Sequence, residues 1–195
     1  DEGNFFNRNL NLYGQIILVA LVFLSLYYAM KLLRPDLLKE SRSLNMILVM
    51  MLIIIVPSFM VIKYYPGMIY MMPIPILAML MVTFFDTRIA IYIQTLALII
   101  ISIAVPNSFS FFVVQFLVSL VSIFVLARST SRSRYFLTYA SIFISYIIIK
   151  LGASLIFDGG LDDFGWNDVG IFAMNALFTM LTLPLAFLFE RLFGF

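Results

Sequence analysis

From Leu12 to Leu33 the chain carries a single charge, Lys31, and from Leu44 to Ile62 it carries none. Runs of this length constrain the fold more than any motif in the sequence. A bilayer core about 30 Å thick needs about 20 apolar residues for each helical crossing. An outer-membrane strand needs only about 10, with strict alternation that these runs lack, so a β-barrel is disfavoured. In lipid an α-helix satisfies every backbone N–H and C=O within one segment, and helices are therefore the expected element.

Composition extends the argument to the whole chain. Of 195 residues, 64% are apolar and 11% charged, with a mean hydropathy of +1.10, values outside the range of soluble domains. Apolar runs bounded by charge, Pro or Gly give seven spans: Leu12 to Leu33, Leu44 to Ile62, Met68 to Phe85, Ile89 to Val105, Phe109 to Ala127, Tyr135 to Phe157 and Val169 to Leu188. Pro73 and Pro75 interrupt the third. It reads as a kinked span, because neighbouring helices can re-satisfy the carbonyls a proline frees; a re-entrant pair of half-helices is the competing reading. The expectation is an all-α polytopic bundle of about seven spans forming one domain over residues 1–195, with no repeat and no linker.

Basic residues are retained on the cytoplasmic side of a membrane. Seven spans with the N-terminus outside place Lys31, Arg34, Lys39, Arg42, Arg88, Arg128, Arg132, Arg134 and Arg191 inside, nine of the twelve Lys and Arg. Six of the ten acidic residues, Asp1, Glu2, Asp158, Asp162, Asp163 and Asp168, then lie outside. The C-terminal Phe195 falls in the cytoplasm. No cleavable signal peptide is read at the start, where Asp1 and Glu2 stand in place of a basic leader.

Cysteine and histidine are both absent, which excludes thiolate nucleophiles, disulfides, imidazole bases and Cys/His zinc sites. No catalytic residue, metal ligand or cofactor is assigned, and no nucleic-acid contact. The acidic segment Asp158 to Asp168 lacks the spacing and closing Glu of a calcium loop. Asp86, Asp158 and Asp168 all stand at span ends, where intramembrane aspartyl proteolysis would need two aspartates deep in facing spans. The basic run Arg128 to Arg134 reads as a retained cytoplasmic loop that touches anionic headgroups weakly.

Two places remain. Lys150 lies within the sixth span, roughly 12 Å below Asp158 at about 1.5 Å per residue. Gln115 and Asn175 sit at nearly the same depth on two other spans. One reading is a snorkelling lysine and amides that merely bond helix to helix. The other is a polar cluster of Gln115, Tyr146, Lys150 and Asn175 that binds an anionic or hydrogen-bonding ligand. The second place is the last span, where Pro184, followed by Glu190 and Arg191, either marks a transmission hinge or simply helps to finish the crossing.

The junction Phe84 to Ala90 (FFDTRIA) and the exit Leu183 to Phe195 (LPLAFLFERLFGF), set on seven spans, resemble the membrane domain of seven-transmembrane receptors with an intracellular HD hydrolase. The resemblance implies an extracellular sensing domain before the first span. After the last it implies a cytoplasmic metal-dependent HD phosphodiesterase that opens cyclic di-AMP to the linear dinucleotide. Divalent metals are expected only in that HD domain, none of whose ligands has a counterpart here, so this chain is itself expected not to be an enzyme. It is expected to be an excised receptor-type relay in a bacterial inner membrane, with the lipid bilayer and the linked outer and hydrolase domains as partners and homodimerisation left open. A small transporter or channel built on the broken third span, and a passive membrane anchor, are the alternatives.

Overall fold

The computed structural model describes residues 2–127, 133–158, 160 and 165–194, except the side chains of 2–9, 11, 133 and 158. Most of these residues are helical, and no strand occurs among them. Asp1, Arg128, Arg132, Asp162, Asp163 and Phe195 lie outside the description, as do the side chains of Glu2 and Asp158, so the basic loop and most of the acidic one are not placed.

The chain forms two compact units, residues 1–41 and 42–195. The first holds α1 (Glu2–Leu33) and the short α2 (Pro35–Lys39). Proline is favoured at the start of a helix, where its missing N–H costs nothing, and it pushes the preceding residue out of the helical region. Arg34 is accordingly non-helical, at φ −149° and ψ 74°.

The second unit holds α3 (Ser41–Tyr64), a 3₁₀ helix (Pro66–Met71), α4 (Pro75–Phe84), α5 (Thr87–Ser102), α6 (Ser108–Ala127), α7 (Ser133–Ala153), which runs into a π-helical turn (Ser154–Asp158), α8 (Trp166–Thr179) and α9 (Thr182–Phe193). Six segments are long and apolar enough to cross a membrane: Leu12–Leu33, Ser41–Tyr64, Pro66–Phe84, Ser108–Ala127, Arg134–Phe157 and Trp166–Phe193. Helix α5 is the shorter apolar seventh. The fold is the all-α polytopic one expected.

Helix α5 ends at Ser102, three residues before the expected end at Val105. Asp86 caps its start, Oδ1 accepting the Ile89 N–H at 2.9 Å, as a short acidic side chain does for orphan amides. Beyond its end Asn107 takes a left-handed conformation (φ 55°), which Asn tolerates better than most residues, and the chain turns into α6. At 16 residues the helix is about 24 Å long. It packs on α4 and α6, and most of its residues are buried.

The most extensive pairing is α6 with α7. Val114, Val118, Tyr139, Ile142, Tyr146 and Phe172 form the core there, joined by Met79 from α4. Large apolar side chains also cover outward faces, among them Phe124, Phe136, Ile148, Leu177 and Phe187. Exposed apolar surface on this scale is what a helix bundle solvated by lipid presents.

Candidate functional site

The site begins with two prolines. Backbone carbonyls inside a helix accept from the amide three or four residues on, and proline has no amide to offer. Pro73 therefore removes the 3₁₀ partner of the Tyr70 carbonyl, and Pro75 that of Met72. The residue before a proline is driven to extended geometry, and Met72 sits at φ −67° and ψ 121°. The third span consequently breaks between Met71 and Pro75 into a 3₁₀ half and an α-helical half. An unpaired carbonyl in a bundle interior costs about 1–3 kcal/mol.

Asn175 of α8 removes that cost. Its Nδ2 donates to the Tyr70 carbonyl at 2.7 Å and to the Met72 carbonyl at 2.7 Å. The Ile74 amide also reaches the Met72 carbonyl, at 2.8 Å. A primary amide has two N–H groups, and both are used on the broken backbone, the Tyr70 carbonyl taking one and the Met72 carbonyl the other beside its bond from Ile74. The Tyr146 hydroxyl lies 3.1 Å from the same nitrogen and donates to Gln115 Oε1 at 2.7 Å. Gln115, Tyr146 and Asn175 are all fully buried.

Of the four residues of the polar cluster read from sequence, the structure brings three, Gln115, Tyr146 and Asn175, into one hydrogen-bonded chain across α6, α7 and α8. Lys150 joins by another route. It is part-exposed one turn beyond Tyr146, with Nζ 5.5 Å from the centroid of the Tyr70 ring, a cation–π distance. The Tyr70 ring packs edge-on against Phe172 at 6.2 Å, and Phe172 stacks on Tyr146 at 5.1 Å. Lys150 is thus next to the residue whose carbonyl Asn175 holds.

The last span is broken as well. Its interruption is at Met180 and Leu181, between α8 and α9, one turn before Pro184. A proline ring clashes with the carbonyl four residues back, which for Pro184 is that of Met180, so the break falls upstream of its cause. The Leu183 amide reaches only the Met180 carbonyl, at 3.4 Å. Thr182 Oγ1 donates to the Thr179 carbonyl at 2.6 Å and lies 3.7 Å from Met79 Sδ on α4. Thr179 Oγ1 donates to the Asn175 carbonyl at 2.8 Å and lies 3.4 Å from its Oδ1. Pro184, Glu190 and Arg191 are exposed on α9. Glu190 contributes its carbonyl, which accepts the Gly194 amide at 2.9 Å, Gly194 being left-handed (φ 71°) as a helix-ending glycine is.

The two breaks are in register. The 3₁₀ half of the third span packs on α8, and the α-helical half, α4, packs on α9. The third span thus runs on in one direction beside the last one and does not fold back on itself. Asn175 bonds the two spans on one side of the breaks, and Thr182 touches α4 on the other.

Sequence reasoning missed Tyr70, Met72, Thr179 and Thr182. Pro73 and Pro75 carried a usable signal: each names, by a fixed offset, a carbonyl that something must satisfy. A second buried pair was missed too, Gln94 Nε2 donating to Ser119 Oγ at 2.8 Å. Gln94 Oε1 and Gln115 Nε2 have no hydrogen-bond partner among the described residues. At the opposite end of the bundle Thr83 and Tyr135 share a hydroxyl bond of 2.8 Å beside a cavity of about 280 Å³ that also exposes Asp86. A wider cavity of about 520 Å³ opens between the 3₁₀ helix and the start of α8, with Trp166 on its rim. Asp168, read from sequence as part of an acidic loop, accepts the Gly165 amide at 2.9 Å and caps α8.

An all-α, multi-pass membrane domain with a buried, hydrogen-bonded junction between two broken spans is the class these features define. The family model for the 7TM receptor with intracellular HD hydrolase matches residues 9–195. The chain belongs to that family, whose name couples a seven-span receptor domain to an intracellular HD domain. No curated protein and no solved structure matches the chain.

Proposed function

We propose that this chain is the transmembrane relay of a receptor whose HD domain hydrolyses cyclic di-AMP, and that it transmits an extracellular or membrane signal by movement of the last span about its break. In this reading the chain does not itself catalyse. It lies in a bacterial inner membrane with its N-terminus outside and its C-terminal end in the cytoplasm. The observation that carries the reading is the family match over nearly the whole chain, taken with a last span that is interrupted at Met180–Leu181. A signal shifts an equilibrium only where two arrangements differ little in free energy. A helix already broken by Pro184 and patched by two hydroxyls needs little to bend further.

The donor set of an HD metal centre does not fit these residues. The sequence has no histidine, and no three potential metal ligands cluster among the described residues.

Three measurements test the reading. Pro184→Ala returns an amide to the Met180 carbonyl and straightens the span. In the parent protein, reconstituted in nanodiscs, it is expected to lock cyclic di-AMP hydrolysis at one level whatever the stimulus. Replacing all the spans by unrelated ones is expected to abolish regulation, and regulation that survives the exchange leaves only an anchor. Tags at the two termini of intact cells should be accessible from opposite sides of the membrane.

A further inference from the structure

Asn175 stands in an unusual position: its side chain bonds the backbone of one broken span, and its own carbonyl and Oδ1 receive a hydroxyl that belongs to the patch of the other. We infer that Asn175 is a splint that makes the two breaks one mechanical unit, so that neither the third nor the last span changes its bend alone. The inference deepens the relay reading and rests on it only for its consequence in signalling; the coupling itself is a property of the bundle.

The Tyr70 and Met72 carbonyls take both hydrogens of the Asn175 amide at 2.7 Å. Neither has an amide three residues on, because Pro73 and Pro75 stand there. If the third span bends further or straightens, these carbonyls shift and Asn175 must follow or lose its bonds. Asn175 in turn accepts Thr179 Oγ1 at 2.8 Å, and the Thr179 carbonyl accepts Thr182 Oγ1 at 2.6 Å. The same hydroxyl touches Met79 on the far half of the third span. The contacts therefore close a ring around both breaks: Tyr70 and Met72, Asn175, Thr179, Thr182, Met79. A bundle interior moves between discrete packings and not continuously, so a ring of this kind favours the two breaks changing together. Tyr146 and Gln115 tether Asn175 to α7 and α6, which hold the splint while the broken spans move. The amide is a positioning group and not a ligand for an incoming molecule.

The test is amide hydrogen exchange of the full chain in nanodiscs, read at residues 72–77 and 181–185. Asn175→Leu removes both donors and is expected to raise exchange at both segments by about tenfold or more, since local opening scales with the bonds lost. Pro73→Ala with Pro75→Ala supplies the missing amides, and in that background Asn175→Leu is expected to restore wild-type exchange at both segments. Thr179→Val keeps the fold accessible where Asn175→Leu proves too severe. Its hydrogen bonds lie within its own span, yet coupling is reciprocal, and exchange at 72–77 should rise with that at 181–185. A rise confined to the altered span in either variant overturns the inference, as does failure of the two alanines to rescue. Coupled exchange with unaltered regulation of the parent hydrolase would leave the splint standing and remove the relay.

Discussion

The third and last spans are both broken by proline, yet they are mended in different ways. In the third the freed carbonyls of Tyr70 and Met72 are satisfied from outside, by the side chain of Asn175 on another helix. In the last the repair comes from within, by the hydroxyls of Thr179 and Thr182, the residues immediately before and after the interruption. A break mended from outside exists only in the assembled bundle. One mended by its own side chains persists wherever the helix goes, because a threonine hydroxyl that bonds back to its own helix keeps the bend without a neighbour. The third break takes its donors from another helix and the last takes them from its own span, while Asn175 and Thr182 tie the two together.

Asn175→Asp should break this comparison most severely. It exchanges the two donors for a carboxylate facing two carbonyl oxygens inside a lipid-solvated bundle, where a charge at mid-membrane costs about 3 kcal/mol even with relaxation. The expected result is loss of folded, monodisperse protein after extraction, or a carboxyl group that stays protonated. Asn175→Asp folding as stably as wild type would show that the third break does not depend on α8.

Next in size is the autonomous repair. Thr179→Val and Thr182→Val together delete two hydroxyl bonds around the last break, each worth about 0.6 kcal/mol on average for bonds within membrane proteins. The pair should lower stability by about 1 kcal/mol in a reversible unfolding assay in mixed micelles, well below the cost of Asn175→Asp. If the two valines cost more, the last span is no less dependent on its patch than the third is on Asn175.

Tyr146→Phe comes below both. It removes the donor to Gln115 Oε1 and the hydroxyl 3.1 Å from Asn175 Nδ2 but leaves the Asn175 bonds to Tyr70 and Met72 in place. The ring keeps its stack on Phe172. The expected loss is about 0.5–1 kcal/mol, with no change in exchange at residues 72–77. A rise there would mean that Asn175 needs Tyr146 to stay aimed at the third span.

How much of this was legible beforehand follows from the same contrast. Seven spans could be read because apolar length is a local property, and even the two short segments, α5 and the broken third, showed as runs between charges. Depth counting alone set Gln115, Lys150 and Asn175 at one level, with Tyr146 joined to the cluster. What depth cannot give is azimuth. Nothing in the sequence says that Asn175 turns toward the third span, so its partners were missed, although Pro73 and Pro75 fix the carbonyls needing a donor. The last break was placed at Pro184 and lies at Met180–Leu181 because a proline disturbs the turn before it.

The smallest effect is expected at a bond of the same length in a different medium. Arg34 Nη2 lies 2.7 Å from Asp36 Oδ2, as close as Asn175 Nδ2 to the Tyr70 carbonyl. Asp36 is exposed in the segment after the first span, and the Arg34 side chain bonded to it holds its carboxyl below the ordinary 3.8. A carboxyl whose folded value is depressed adds stability that is fully present above its unfolded value and is lost as pH falls through the folded one. The window therefore opens below about pH 4. Water screens an exposed pair and competes for both partners, so Asp36→Asn should leave the unfolding midpoint unchanged at pH 7 and flatten only the acid limb. Burial makes the difference: at Asp36 water takes the place of a lost partner, whereas the Asn175 amide that serves Tyr70 and Met72 is fully buried. A measurable loss at neutral pH from Asp36→Asn would mean that distance and not medium sets the worth of these bonds, and the contrast between the two broken spans would lose its basis.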